Sequence, residues 1–118
     1  SYPTFMVPFW SRDRKRGRLL NLEYLISKQT LKTAHTFGLY DRGVLSSGMK
    51  ADINIIDYDK ISLTLPSLSY DLPSGGKRLV QKSVGYEHTF VAGIEVSHKG
   101  EFTGELPGKV IRGSQKLN

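Results

Sequence analysis

The segment from Gly38 to Asp57 divides this sequence into two parts, because the spacing of apolar residues changes across it. Upstream of it, Leu22, Leu25 and Ile26 recur at the spacing of one helical face. Downstream, the β-branched segment INII at 53–56 is typical of a largely buried strand. Glycine at position 38 suits the left-handed geometry that ends many helices. The chain is therefore predicted to be helical first and β-rich afterwards.

These patterns predict an α+β fold in three parts. Residues 1–40 are expected to be a helical segment, residues 41–113 a β-rich small domain, and residues 114–118 a disordered tail. Between the two structured parts, Val44 and Leu45 are expected to anchor the connection against a core.

Local signals set the expected bounds of the helices. Asn21 is a good N-cap residue, and the helix that it starts should end at Lys28 or Gln29. Pro8 lacks a backbone N–H, so an earlier helix should either begin near it or kink there.

The strongest hairpin signal is the two-residue loop Ala92-Gly93, which separates two apolar runs and puts Gly93 at the tip. This loop pairs Val91 with Ile94. An uninterrupted ladder then pairs Thr89 with Val96. The expected result is a sheet face on which Val91, Ile94 and Val96 are buried together.

The same register places His88 and His98 on opposite faces, where they cannot share a metal ion. Zinc needs three or four converging ligands, His35 lies on a predicted helix, and the chain has no cysteine. Asp52 and Asp57 bracket one strand five residues apart, so they also point to opposite faces and are poorly placed for joint acid–base work. We therefore predict no catalytic residue, no metal ligand and no cofactor in this chain.

The formal net charge is +6, which raises the question of a polyanionic partner. Its densest part is a basic run, which consists of Arg12, Arg14, Lys15, Arg16 and Arg18. One interpretation is a solvated helix end; the other is a free-standing basic module that binds nucleic acid or another polyanion. The run is not interleaved with aromatic residues, so we expect no specific nucleic-acid binding. No apolar stretch is long enough for a membrane span, and the lack of cysteine suits the cytoplasm.

The Gly38–Asp57 segment also resembles a known signature, found near the C-terminus of amidohydrolase-superfamily enzymes. The residues that match it are Gly43, Leu45, Gly48, Ala51, Asp52 and Asp57. The branch that the chain most resembles is the D-aminoacylase, or N-acyl-D-amino-acid deacylase, group. Further matches are spread along the chain: YPTF at 2–5, FW at 9–10, RDR at 12–14, LE at 22–23, DLP at 71–73, GG at 75–76, TG at 103–104, LPG at 106–108 and RG at 112–113.

This resemblance implies a parent enzyme that is a zinc-dependent amidohydrolase with a TIM barrel. Its metal ligands and general-base aspartate would precede Ser1, so no catalytic residue can be assigned here and the substrate-binding residues are unknown. The chain would supply the last barrel helices and the C-terminal share of a small composite β-domain. Its partner would then be the rest of the barrel. In isolation, Phe5, Phe9 and Trp10 would be exposed and would favour self-association.

Overall fold

The computed structural model describes residues 1–116 and has the predicted α+β organisation. The helices are α1 (Tyr2–Pro8), α2 (Leu22–Gln29) and α3 (Leu31–Thr36), with a π-helical turn at Phe9–Asp13. The strands are β1 (Ile53–Ile56), β2 (Ser62–Leu63), β3 (Ser67–Ser69), β4 (Arg78–Val80), β5 (Ser83–Val84), β6 (Tyr86–Val91), β7 (Ile94–His98) and β8 (Glu101–Phe102).

The first helix begins at Tyr2 and runs through Pro8 without a break, so it does not start at the proline. The hydrogen-bonding pattern changes directly afterwards. The Arg14 N–H donates to the Phe9 carbonyl at 2.9 Å, a step of five residues that defines the π-helical turn. Because proline cannot donate a backbone hydrogen bond, a change of helical geometry at this place is physically expected.

The predicted limits of α2 are confirmed. The Asn21 side chain accepts a hydrogen bond from the Tyr24 N–H at 3.1 Å, and the helix ends at Gln29. After α3, Gly38 takes a φ of +71°, and the Leu39 N–H returns to the Ala34 carbonyl at 2.8 Å. That geometry ends the helix in the way the glycine predicts.

The strands form one main sheet and two small ladders. The main sheet has the antiparallel order β1-β6-β7-β8, while β2 pairs with β5 and β3 pairs with β4. Consecutive strands β6, β7 and β8 of the main sheet are joined by two tight turns, Ala92-Gly93 and Lys99-Gly100. All four of these residues have positive φ, as two-residue hairpin loops of the type I′ class require.

The helical segment contacts the β-rich part through hydroxyl groups. The Thr4 Oγ1 lies 3.0 Å from the Tyr86 hydroxyl, and the Ser11 Oγ lies 2.7 Å from the Tyr58 hydroxyl. Thr4 is buried in this contact. The two parts are therefore joined by specific polar contacts as well as by the connecting chain.

Arg12 makes the most extensive contact between the two parts. Its Nη1 donates to the carbonyls of Tyr58 and Asp59, the latter at 3.0 Å, and its Nη2 donates to the Ile61 carbonyl at 3.0 Å. Its Nε is paired with Asp13 at 2.7 Å, a hydrogen bond that lowers the pKa of this carboxyl. Although it belongs to the basic run, Arg12 is thus a structural residue that holds the turn after β1.

The turn held by Arg12 also packs against Gly85. The Asp57 N–H donates to the Gly85 carbonyl at 2.8 Å, and Gly85 has a φ of +93°. A Cβ at this glycine would lie 2.7 Å from both the Cα and the N of Ile61. Ile61 is itself completely buried, so the position leaves no space for a side chain.

The core is small for a chain of this length. The buried hydrophobic residues are Val7, Leu25, Ala34 and Ile61. The accessible surface is 9130 Å², against about 6,400 Å² for a compact monomer of this mass. The radius of gyration is 16.5 Å, against about 13.5 Å for a compact domain. Within residues 1–116, no helix has the length and apolar character needed to cross a membrane.

The prediction about the connection differs from the structure, and the start of the predicted tail makes backbone hydrogen bonds. Val44 and Leu45 do not anchor the connection, since their side chains are 44% and 80% exposed. At the predicted disordered tail, the Gln115 N–H donates to the Gly38 carbonyl and its carbonyl accepts from the Tyr40 N–H, both at 2.8 Å. Backbone pairing that depends on tertiary contact leaves no local sequence signal. Positions 117 and 118 of that tail lie outside the described residues.

An ion pair closes the loop between β3 and β4 and gives a pH-dependent prediction. The Arg78 guanidinium donates to both oxygens of Asp71, at 2.7 and 2.6 Å, and lowers the pKa of Asp71 to about 2. Because the pKa of Asp71 is lower in the folded chain than its unfolded value of about 3.9, the ion pair stabilises the fold at pH values above about 3.9. That support is lost as the pH falls toward 2.

Carbon-detected NMR should give a titration midpoint near pH 2 for the Asp71 carboxyl. In Arg78→Gln the midpoint should rise to about 3.9, the value of an unpaired aspartate. The control Lys77→Gln, in the same loop, should leave it unchanged. An ordinary midpoint in the unsubstituted chain would contradict the pairing.

Candidate functional site

The signature residues Ala51 and Asp52 hold the tip of the β6–β7 hairpin. The Asp52 Oδ1 accepts a hydrogen bond from the Ala92 N–H at 2.9 Å, and the Ala51 carbonyl accepts one from the Gly93 N–H at 2.9 Å. Ala92 has a φ of +51°, which is uncommon for a residue with a Cβ. The Ala-Asp pair therefore stabilises a turn whose backbone geometry is unfavourable by itself.

A second carboxylate connects this tip to the preceding segment. Asp41 is buried and receives two hydrogen bonds from Arg42, at 2.9 and 3.1 Å, while the Arg42 Nη1 reaches Asp52 at 3.2 Å. These contacts to Arg42 lower the pKa of Asp41, and the same pairing raises the pKa of Arg42. Both carboxylates are thus engaged as hydrogen-bond acceptors within the fold.

The glycines of the signature are explained by geometry. Gly43 has a φ of +91°, and a Cβ there would lie 2.9 Å from the Cα of Leu31, at the start of α3. Gly48 has a φ of +83°, but a Cβ added to it would meet no atom within 4 Å, so this glycine serves the turn alone. Leu45 of the same signature is largely exposed.

Asp57 stabilises the turn that follows β1. Its Oδ1 accepts hydrogen bonds from the N–H groups of Asp59 and Lys60, both at 3.2 Å, and its Oδ2 lies 2.6 Å from the Lys60 Nζ. The hydrogen bond from Lys60 lowers the pKa of Asp57. Asp52 and Asp57 therefore have separate partners at the two ends of one strand. Each has the structural role that aspartate commonly has beside a turn.

The structure brings together two histidines that a regular ladder would separate, and it places a glutamate beside them. The His88 Nδ1 lies 2.7 Å from the Glu95 Oε1, and the His98 Nδ1 lies 3.1 Å from the same oxygen. The two Nδ1 atoms are 3.2 Å apart. We call these three residues the imidazole–carboxylate cluster. Within the described part of the chain, it is the group whose ligand atoms converge closely enough to hold a metal ion.

The prediction that His88 and His98 lie on opposite faces is wrong, and the reason is a β-bulge. The first pairs of the hairpin are as predicted, with Val91 opposite Ile94 and Gly93 at the tip. Thr89, however, pairs with Ser97, so Val96 is an additional residue in β7. The pairing of Thr89 with Val96 is therefore wrong.

Beyond this bulge every side chain of β7 changes face. His98 becomes the direct partner of His88, and both lie on the face that carries Glu95. The expected common buried face is also not formed. Ile94 is 45% exposed, and Val91 and Val96 are half-buried.

The bulge is held by the segment after β8. The Thr103 N–H donates to the Val96 carbonyl at 3.1 Å, and the Thr103 Oγ1 donates to the Glu95 carbonyl at 2.8 Å.

Hydrogen bonds from His88 and then His98 lower the pKa of Glu95. Phe90 covers one side of the cluster, with its ring stacked at 6.1 Å from the ring of His88.

Two curated proteins of Alcaligenes xylosoxydans xylosoxydans are similar to most of this chain. An N-acyl-D-glutamate deacylase is 32% identical over 98 residues, which cover 83% of this chain and 18% of the relative. An N-acyl-D-aspartate deacylase is 35% identical over 98 residues, which cover 82% of this chain and 18% of the relative. No protein-family model and no solved structure matches the chain.

The chain thus spans less than a fifth of the length of these curated relatives, 18% in each case. Their similarity extends well beyond the short signature, over 98 residues of this chain. The chain is therefore similar to a segment of these two N-acyl-D-amino-acid deacylases.

Proposed function

We propose that this chain is the C-terminal segment of a metal-dependent amidohydrolase that removes the acyl group from N-acyl-D-amino acids. In this proposal the segment is structural rather than catalytic. The observation that carries it is the identity of 32% and 35% to two deacylases over 98 residues. The two relatives are named for N-acyl-D-glutamate and N-acyl-D-aspartate, so we propose an acidic D-amino acid as the product.

The surface of the chain supports a role as part of a larger assembly. It exceeds the surface expected for a compact monomer by roughly 2,700 Å², which is comparable with a large permanent protein interface. An open apolar groove lies between α1 and α2 and is lined by Met6, Trp10, Leu20, Tyr24, Leu25 and Lys28. We propose that the remainder of a barrel covers this face, and that the isolated chain self-associates through it.

The aspartates of the Gly38–Asp57 segment do not fit a catalytic zinc site. Asp41 and Asp52 accept hydrogen bonds from Arg42 and from the hairpin tip, and Asp57 accepts them from its own turn. Within the described part of the chain, none of these carboxylates belongs to a group of side chains whose ligand atoms converge closely enough to hold a metal ion. Zinc-dependent hydrolysis is therefore assigned in this proposal to residues outside this chain.

The basic run supports the same proposal better than a nucleic-acid function. Arg12 is used inside the fold, and the guanidinium of Arg14 lies 4.5 Å from the centre of the Trp10 ring. The exposed cations that remain are Lys15, Arg16 and Arg18. These three cations are not combined with aromatic residues on which bases could stack or with a known nucleic-acid-binding motif. They therefore suit weak, salt-sensitive binding to nucleic acid rather than specific recognition of it.

An assay on two forms of the protein tests this proposal. The complete product of the reading frame that contains the chain should release free D-amino acid from N-acetyl-D-glutamate or N-acetyl-D-aspartate, and a chelator should stop the release. The 118-residue chain should release none. The L-enantiomers serve as the matched control. Turnover by the 118-residue chain itself, or none by a complete product that is longer and folded, would overturn the proposal.

A further inference from the structure

We propose that His88, Glu95 and His98 form a binding site for a single divalent transition-metal ion, with Zn²⁺ as the expected occupant. The site is separate from the catalytic zinc of the proposed function, because all three ligands belong to the β6–β7 hairpin. It acts as a clamp across two neighbouring strands.

The spacing of the ligand atoms fits a tetrahedral ion. With zinc–ligand bonds of about 2.0–2.1 Å, neighbouring ligand atoms of a tetrahedron lie about 3.3 Å apart. The three atoms of the cluster are separated by 2.7, 3.1 and 3.2 Å. An ion therefore needs the ligand atoms to move apart by about 0.1–0.6 Å, which small rotations of these side chains can supply.

The donor set also fits zinc in its chemistry. Two imidazoles and one carboxylate are a ligand set that proteins use for Zn²⁺, with water in the fourth position. The side chains of His88, Glu95 and His98 are 34%, 33% and 52% exposed, so water can reach that position. Mg²⁺ prefers an octahedral set of oxygen ligands and is not expected to bind.

The protein holds the ligands in position before any ion arrives. The bulge at Val96 places His98 on the face that carries His88 and Glu95, and Thr103 fixes the carbonyls of both bulge residues. To bind the ion, each imidazole takes the neutral tautomer that carries its single proton on Nε2, which leaves the Nδ1 lone pair free as the ligand.

Calorimetric titration of the 118-residue chain with Zn²⁺ at neutral pH tests the site directly. We expect saturable binding at one ion per chain, and none with Mg²⁺. His98→Asn and Glu95→Gln keep the size of the side chains but remove a ligand, so each should weaken zinc binding at least tenfold. The control His35→Asn changes the histidine on α3, outside the cluster, and should leave the affinity unchanged.

NMR of the imidazole nitrogens provides a second measurement that does not depend on the variants. Addition of Zn²⁺ should shift the Nδ1 resonances of His88 and His98 and leave those of His35 in place. The amide spectra of the variants show whether each one is folded. If zinc binding is not saturable, or if folded His98→Asn binds zinc as tightly as the unsubstituted chain, the three residues form a hydrogen-bonded cluster only. Either result would overturn the proposed metal site. Neither measurement depends on deacylase activity.

Discussion

Gly85→Ala is expected to remove a large part of the stability of this chain. The new Cβ would lie 2.7 Å from two backbone atoms of the completely buried Ile61. The alanine would also have to adopt the φ of +93° that Gly85 has, which is unfavourable for a residue with a Cβ. Backbone strain of about 1–3 kcal/mol and overpacking of about 1–3 kcal/mol together lower the free energy of unfolding by about 2–6 kcal/mol. Small domains have only about 5–15 kcal/mol in total.

Urea denaturation followed by circular dichroism measures this effect. The matched control is Gly104→Ala, because Gly104 has a φ of +94° and nothing lies within 4 Å of an added Cβ. The control should lose only the part that comes from backbone strain. Equal losses in the two variants would mean that the close approach to Ile61 is not the cause.

Arg12→Ala is the substitution with the second largest expected effect. It removes a side chain that donates to three main-chain carbonyls across the contact between the helices and the β-rich part. Hydrogen bonds to a charged group contribute about 1.5–3 kcal/mol each, and bonds from one group are not additive, so we expect a loss of about 2–4 kcal/mol. The urea midpoint should fall accordingly.

Two further variants separate the geometry of Arg12 from its charge. Arg12→Lys keeps the charge but cannot reproduce the planar arrangement of donors, so it should be nearly as unstable as the alanine variant. Arg16→Ala removes an exposed cation of the same basic run and should change stability by less than about 0.5 kcal/mol. If Arg16→Ala were as damaging as Arg12→Ala, the carbonyl contacts would not be the explanation.

Features set by neighbouring residues were accessible from the sequence. Asn21 caps α2, Gly38 ends α3, and Ala92-Gly93 forms the hairpin loop, because each of these geometries depends on residues only a few positions away. The structural interpretation of Asp57 also follows from turn chemistry. The signature around Asp52 pointed to the deacylases, to which the chain proved similar.

The imidazole–carboxylate cluster could not be found in that way. A regular ladder through Val96 is the simplest expectation, and the bulge depends on hydrogen bonds from Thr103, beyond the next strand. The same limit applies to Arg12, which local sequence assigns to a solvated run. Its three acceptors are more than forty positions away, at sequence separations of 46, 47 and 49.

The bulge at Val96 makes the number of residues in β7 as important as their identity. Strand side chains alternate between faces, so one residue more or fewer between Glu95 and His98 would send the second imidazole to the other side of the sheet. Two homologous chains could then carry the same two histidines and the same glutamate, yet differ completely in their ability to capture an ion. For this hairpin, an insertion or deletion of a single codon would be a functional change even when every ligand is retained.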